Sequence, residues 1–118
     1  MRRTFMKIID YRSIDPEPVK MEGAKDVTIR WLVTREDGAP NFAMRLFEVA
    51  PGGCTPLHVH EHEHEVYILE GEGTVWREGE EVSAGSGTAV FVPPGEKHQF
   101  VNRGSSVLKF LCFVPHTE

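Results

Sequence analysis

The amino-acid sequence predicts an all-β chain, an antiparallel sandwich or barrel of eight or more short strands. Three observations carry this. Glycine and proline are plentiful, at 11 and 8 of 118 residues, as tight turns between many short strands require. From Phe42 onward, β-branched and aromatic runs alternate with turn signals at nearly regular spacing. No apolar stripe of helical period persists beyond two turns.

Each element has its own justification. Residues 1–40 are the least regular, and Ile14 to Pro18 reads as an extended, proline-stiffened lead-in. Val27 to Thr34 (VTIRWLVT) is rich in β-branched residues and is followed by the turn signal Asp37-Gly38. It sets Ile29, Trp31 and Val33 on one face and can serve as an edge strand. The barrel core is expected at about residues 41–115, within one domain covering 1–118. Phe42–Val49 forms a strand closed by Pro51-Gly52-Gly53, and Glu65–Leu69 one closed by Glu70-Gly71-Glu72-Gly73. Gly73–Arg77 and Glu81–Ser83 flank Glu78-Gly79-Glu80, a hairpin signal. Thr88–Val92 ends at Pro93-Pro94-Gly95, His98–Val101 at Asn102-Arg103-Gly104, and Val107–Val114 closes the series. In that last strand Leu108, Phe110, Cys112 and Val114 share a face. Lys109, on the other face, belongs near solvent, which turns Phe110 and Cys112 inward.

Composition removes several function classes. Apolar residues make up 40%, charged residues 26%, and the net charge is −5, which excludes disorder, collagen and coiled coil. An acidic chain with scattered Lys and Arg lacks the basic stripe of a nucleic-acid binder. Its apolar runs are far too short for a membrane span, and no apolar stretch follows Met1-Arg2-Arg3 as a signal peptide needs. Cys54 and Cys112 make no disulfide framework, so a reduced, cytoplasmic setting is the default.

Histidine is the outlier. Four of the six lie at 58, 60, 62 and 64. Taken literally, His60-Glu61-x-x-His64 is the zinc-protease motif, which needs a helix. No apolar residue falls between Val59 and Val66, so such a helix would have no face to bury. On a strand, His58 and His60 project from one face, and a turn after His60 can return His64 opposite them. A solvated tract that binds metal only incidentally is the other reading of the cluster.

A second segment separates these readings: His98 stands in Gly87-x5-Pro93-x-Gly95-x2-His98-x3-Asn102. With it the chain resembles the cupins, whose motifs are G-x5-H-x-H-x(3,4)-E-x6-G and G-x5-P-x-G-x2-H-x3-N. The second motif is matched at every fixed position. The first is matched by Gly52, His58, His60 and Gly71, with His64 where the family has glutamate. Glu65 fills that role at the looser spacing, but Gly71 then falls one residue out of step. The likeness spans about Phe42 to Pro115 and is nearest the small single-domain cupins that carry a four-histidine manganese site and pair as dimers.

The resemblance implies a jelly-roll barrel (an antiparallel double-stranded β-helix), a homodimer, and one divalent metal per chain on His58, His60, His64 and His98. Manganese or iron is expected. Zinc, nickel and copper stay open, because neutral imidazoles suit late first-row metals while the family leans to manganese. A closed tetrahedral zinc site is the structural alternative. His62 lies where the chain must turn and is placed at the pocket mouth, with Phe100, Phe110 and Cys112 as pocket wall. The motif glycines and Asn102 are read as backbone devices. No proton-transfer residue stands beside the ligands, which tilts the expectation toward a metal-dependent, oxygenase-like enzyme acting on a small molecule. A non-catalytic binding or sensing module and a metal-dependent isomerase are the alternatives. Neither nucleic acid nor membrane is an expected partner.

Overall fold

The structure, a computed structural model, describes residues 4–116. Its strands are β1 (Glu17–Pro18), β2 (Lys25–Val33), β3 (Phe42–Cys54), β4 (His64–Glu70), β5 (Gly73–Arg77), β6 (Glu80–Ser83), β7 (Ala89–Val92), β8 (Gln99–Asn102) and β9 (Leu108–Pro115). Single 3-10 turns at Tyr11–Ser13 and Arg35–Asp37 are the only helical pieces among the described residues. None is long and apolar enough to cross a membrane.

Every strand pair is antiparallel, and one curled sheet runs β6-β5-β8-β3-β9-β4-β7, with β2 on the other edge of β3 and β1 on β2. The two ends of the series, β6 and β7, face each other across a cleft of about 250 Å³ whose wall includes His98. The β5–β6 hairpin turns on Glu78 (φ 50°) and Gly79 (φ 85°), both left-handed as a type I′ turn requires.

One strand differs from expectation. The run Phe42–Val49 was expected to stop at Pro51-Gly52-Gly53, yet β3 continues through it to Cys54. Gly52 takes φ 83° and lets the strand bend without breaking. Beyond the bend, Cys54 pairs with Val101 of β8, whereas residues 42–49 pair with β9. This single long strand therefore stitches the two halves of the sheet together.

The core lies inside the curl. Alternation along β9 buries Leu108, Phe110, Cys112 and Val114, as its period-two pattern predicts. Phe110 stacks on Phe100 (4.8 Å) and on Phe47 (5.3 Å), packing β8, β9 and β3 against one another. Asn102 is only 2% exposed. Its Nδ2 donates to the carbonyls of Val49 and Ser106 at 2.8 Å each, and Oδ1 accepts from Gly104 N–H at 2.9 Å. It thus closes the β8–β9 turn, as an amide at a strand end does.

Candidate metal centre

Four histidines reach the lumen from three stretches of chain. His58, in the loop after β3, and His98, just before β8, form a two-way backbone bridge with N–H to carbonyl distances of 3.2 and 3.1 Å. His60 is pinned by Gly95, whose N–H donates to its carbonyl at 2.7 Å. That bond explains why Pro93-Pro94-Gly95 is needed: it brings the second motif's turn onto the first motif's loop. His64 opens β4 with its side chain inward, and it and His98 are 7% and 6% exposed. Residues 58–63 form no helix, so the geometry of the zinc-protease motif is absent.

The ring nitrogens are sorted by their partners. Nδ1 of His58 lies 3.0 Å from the Pro56 carbonyl, and Nδ1 of His98 lies 2.9 Å from that of Glu96. A carbonyl only accepts, so both rings carry their proton on Nδ1 and keep the Nε2 lone pair free. Nε2 of His58 is 2.6 Å from Nε2 of His60. Nε2 of His64 is sealed from solvent with no hydrogen-bond partner. His60 is the hub: its ring centroid lies 4.1, 4.4 and 5.4 Å from those of His58, His64 and His98.

Burial disfavours the charged form of His60, His64 and His98. It is the main cause lowering His60 to about 4 and His64 to about 3, with neighbouring histidines and Arg45 adding to it. His98 is lowered as well, mainly by burial and against the opposing pull of its bond to Glu96. Neutral imidazoles with convergent lone pairs, one of them buried and orphaned, are a donor set that suits a late first-row divalent cation.

The rings border a cavity of about 100 Å³ that Phe100, Phe110 and Cys112 also line. Four further lining residues are not evident from the sequence: Arg45, Phe47, Met21 and Thr55. The first two follow the alternation of β3, and strand parity could have named them. Met21 comes from the β1–β2 turn, where nothing in the sequence points to the lumen. Cys112 is more than packing, for its Sγ accepts from Arg45 Nη2 at 3.0 Å and lies 3.3 Å from His64 Nδ1. A cation on Nε2 of His64 places the proton on Nδ1, so that the sulfur accepts from both sides.

His62 is differently placed. Its ring stacks at 5.2 Å from His60 and 5.1 Å from His64, and the donor atoms of this trio lie within 4.8 Å of one another. Yet it lines the outer clefts, beside His116, and not the cavity of the other four.

The cupin-domain family model matches residues 45–114. The chain belongs to the cupin family. This cupin is 34% identical over 113 residues to the oxalate-binding protein of Thermotoga maritima, covering 91% of this chain and 92% of that protein. Among solved structures it is similar to the polyketide cyclase RemF from Streptomyces resistomycificus, with TM-score 0.89, 40% identity, and coverage of 94% of this chain and 80% of that one. It is also similar to a predicted oxalate decarboxylase from Thermotoga maritima, with TM-score 0.83, 30% identity, and coverage of 94% and 100%. The curled sheet is accordingly a cupin jelly-roll barrel.

Proposed function

We propose that this cupin is a metal-dependent, oxygenase-like enzyme that holds one divalent cation, manganese or iron, on Nε2 of His58, His60, His64 and His98. The observation that carries the reading is the make-up of the cavity. Around the four rings stand Phe47, Phe100, Phe110, Met21, Thr55, Arg45 and Cys112, with no carboxylate or lysine among the described residues that line the cavity. A bound cation would supply Lewis-acid or redox chemistry there. The protein's own part is to fix the imidazole tautomers through Pro56 and Glu96, keep water scarce with aromatic walls, and admit a small oxygen-donor ligand. The cavity, of about 100 Å³, has room for a small ligand beside the rings.

A second reading is a non-catalytic module that binds a small ligand through the same metal. The relative named as an oxalate-binding protein favours it. Metal analysis of protein purified without an affinity tag, followed by oxygen uptake with small hydroxy and keto acids, decides between them. Iron or manganese at one per chain with ligand-dependent oxygen uptake supports the enzyme. Metal with ligand binding but no turnover supports the module, and tightly held four-coordinate zinc overturns both. The functional unit we propose is a homodimer.

A further inference from the structure

Partly buried cations in this protein normally meet carboxylates. Arg30 lies 3.0 Å from Glu48, and Lys109 lies 3.7 Å from Glu48 and 3.4 Å from Glu70. Arg45 has no such partner among the described residues. It is held instead by Cys112 Sγ, directly opposite it in the β3–β9 ladder, and by the ring faces of Trp31 (5.6 Å) and Phe47 (5.0 Å). A guanidinium has five N–H donors, and sulfur is a weak acceptor. Nε is sealed off without a hydrogen-bond partner and Nη2 is engaged by the sulfur, which leaves no carboxylate on the guanidinium among the described residues.

Position matters as much as the missing partner. Arg45 lines both the histidine cavity and the adjoining cleft of about 300 Å³ that carries Trp31, His62 and His116. Its charge is felt by His60 and His64. A divalent cation on the four imidazoles together with Arg45 would make this small space strongly positive, and no described residue lining it is negative. A neutral ligand would leave that charge uncompensated, at the cost that unpaired buried charge carries.

We infer that Arg45 reads the charge of the ligand, that the ligand class is a small dicarboxylate, and that Cys112 positions the guanidinium by holding Nη2. One carboxylate faces Arg45 while the other end faces the four histidines. The inference rests on the proposed metal centre for that second contact and on Arg45 alone for the first.

The test loads the full chain with Mn²⁺, measures metal content, and titrates it calorimetrically with oxalate and with neutral glycolamide. Arg45→Gln is expected to weaken oxalate binding roughly 10- to 100-fold, the worth of a hydrogen bond to a charged group. Metal content and glycolamide binding stay unchanged, and Arg45→Lys recovers part of the loss. Oxalate bound equally by wild type and Arg45→Gln overturns the inference. So does an equal loss for glycolamide, which would mark a structural role. If wild type takes up no Mn²⁺, the metal centre fails on its own. The oxalate-induced rise in melting temperature of the metal-free protein then decides about Arg45: a rise lost in Arg45→Gln supports the anion role, and no rise overturns it.

Discussion

At the scale of single residues, the question is which rings hold the cation. Sequence motif and ring orientation favour His58, His60, His64 and His98, whereas proximity alone favours His60, His62 and His64. The two sets share His60 and His64; the first adds His58 and His98, the second His62. His98 has its Nδ1 tied to a carbonyl and faces the lumen, as a ligand with an outer partner does. His98→Ala is therefore expected to weaken Mn²⁺ binding by roughly 100-fold or more, while His62→Ala leaves it nearly unchanged. Calorimetric titration of the two variants checks this, and the reverse ranking would transfer the ligand role to His62. Cys112 makes a subtler case. Its sulfur lies between Arg45 and His64, so Cys112→Ala frees the His64 ring to turn and is expected to cost about 10-fold in metal affinity. Cys112→Ser restores most of that affinity. Titration showing Cys112→Ala equal to wild type would reduce the sulfur to filler.

At the scale of elements, the turns hold the barrel in register, and Gly71 between β4 and β5 is one of the tightest positions. It adopts φ 97°, and a Cβ there would lie 2.6 Å from the Val107 carbonyl oxygen and 2.8 Å from Leu108 Cα. The obstacle is backbone, so it does not yield. Gly71→Ala is expected to destabilise the fold by about 2 kcal/mol or more, since left-handed strain and the clash act together. Urea unfolding measures it, and a loss under about 0.5 kcal/mol would mean the β4–β5 turn relaxes freely. Such turns are why the sheet was legible in the sequence: Asp, Gly and Pro signals bracket the strands, and β9 alternates so regularly that Phe110 and Cys112 could be turned inward from parity alone. Legibility failed where chain direction stopped being local. Pro51-Gly52-Gly53 reads as a stop but is a bend inside β3, because Cys54 finds a second partner in Val101, a pairing no local pattern encodes. Met21 likewise enters the cavity from a turn whose position depends on how β1 folds back on β2. Arg45 is hard to place from the sequence for another reason: a charged residue in a strand ordinarily faces solvent.

At the scale of the whole molecule, two properties follow from how the chain is distributed. The N-terminal segment leaves Met6 and Ile8 86% and 87% exposed beside β2, a strand whose outer edge β1 covers for only two residues. Exposed apolar chain beside an open sheet edge is surface suited to a second copy. Light scattering is expected to give twice the 13.3 kDa chain mass, and Ile8→Glu to shift it toward the monomer. A monomer at high micromolar concentration would contradict the dimer. The second property is the response to acid. Free imidazoles protonate near 6.5, so sequence alone predicts metal loss just below that pH. Burial changes the prediction. His60 and His64 are lowered to about 4 and about 3, so these two rings stay unprotonated in the folded protein well below 6.5, and His98 is lowered too. In the unfolded chain they protonate at their ordinary value. Between about 6.5 and about 4 the unfolded state thus binds more protons than the folded one, and stability falls as pH falls. Below that window the folded rings begin to protonate as well, and the decline levels off. Proton competition for the cation is deferred in the folded state while the fold itself weakens, so metal release and unfolding are expected to coincide. Parallel measurement of retained Mn²⁺ and circular dichroism from pH 7.5 to 3.5 checks this. Release centred near 6.5 with the sheet intact would mean that the ligating rings are exposed ones, and would count against His64 and His98 as ligands.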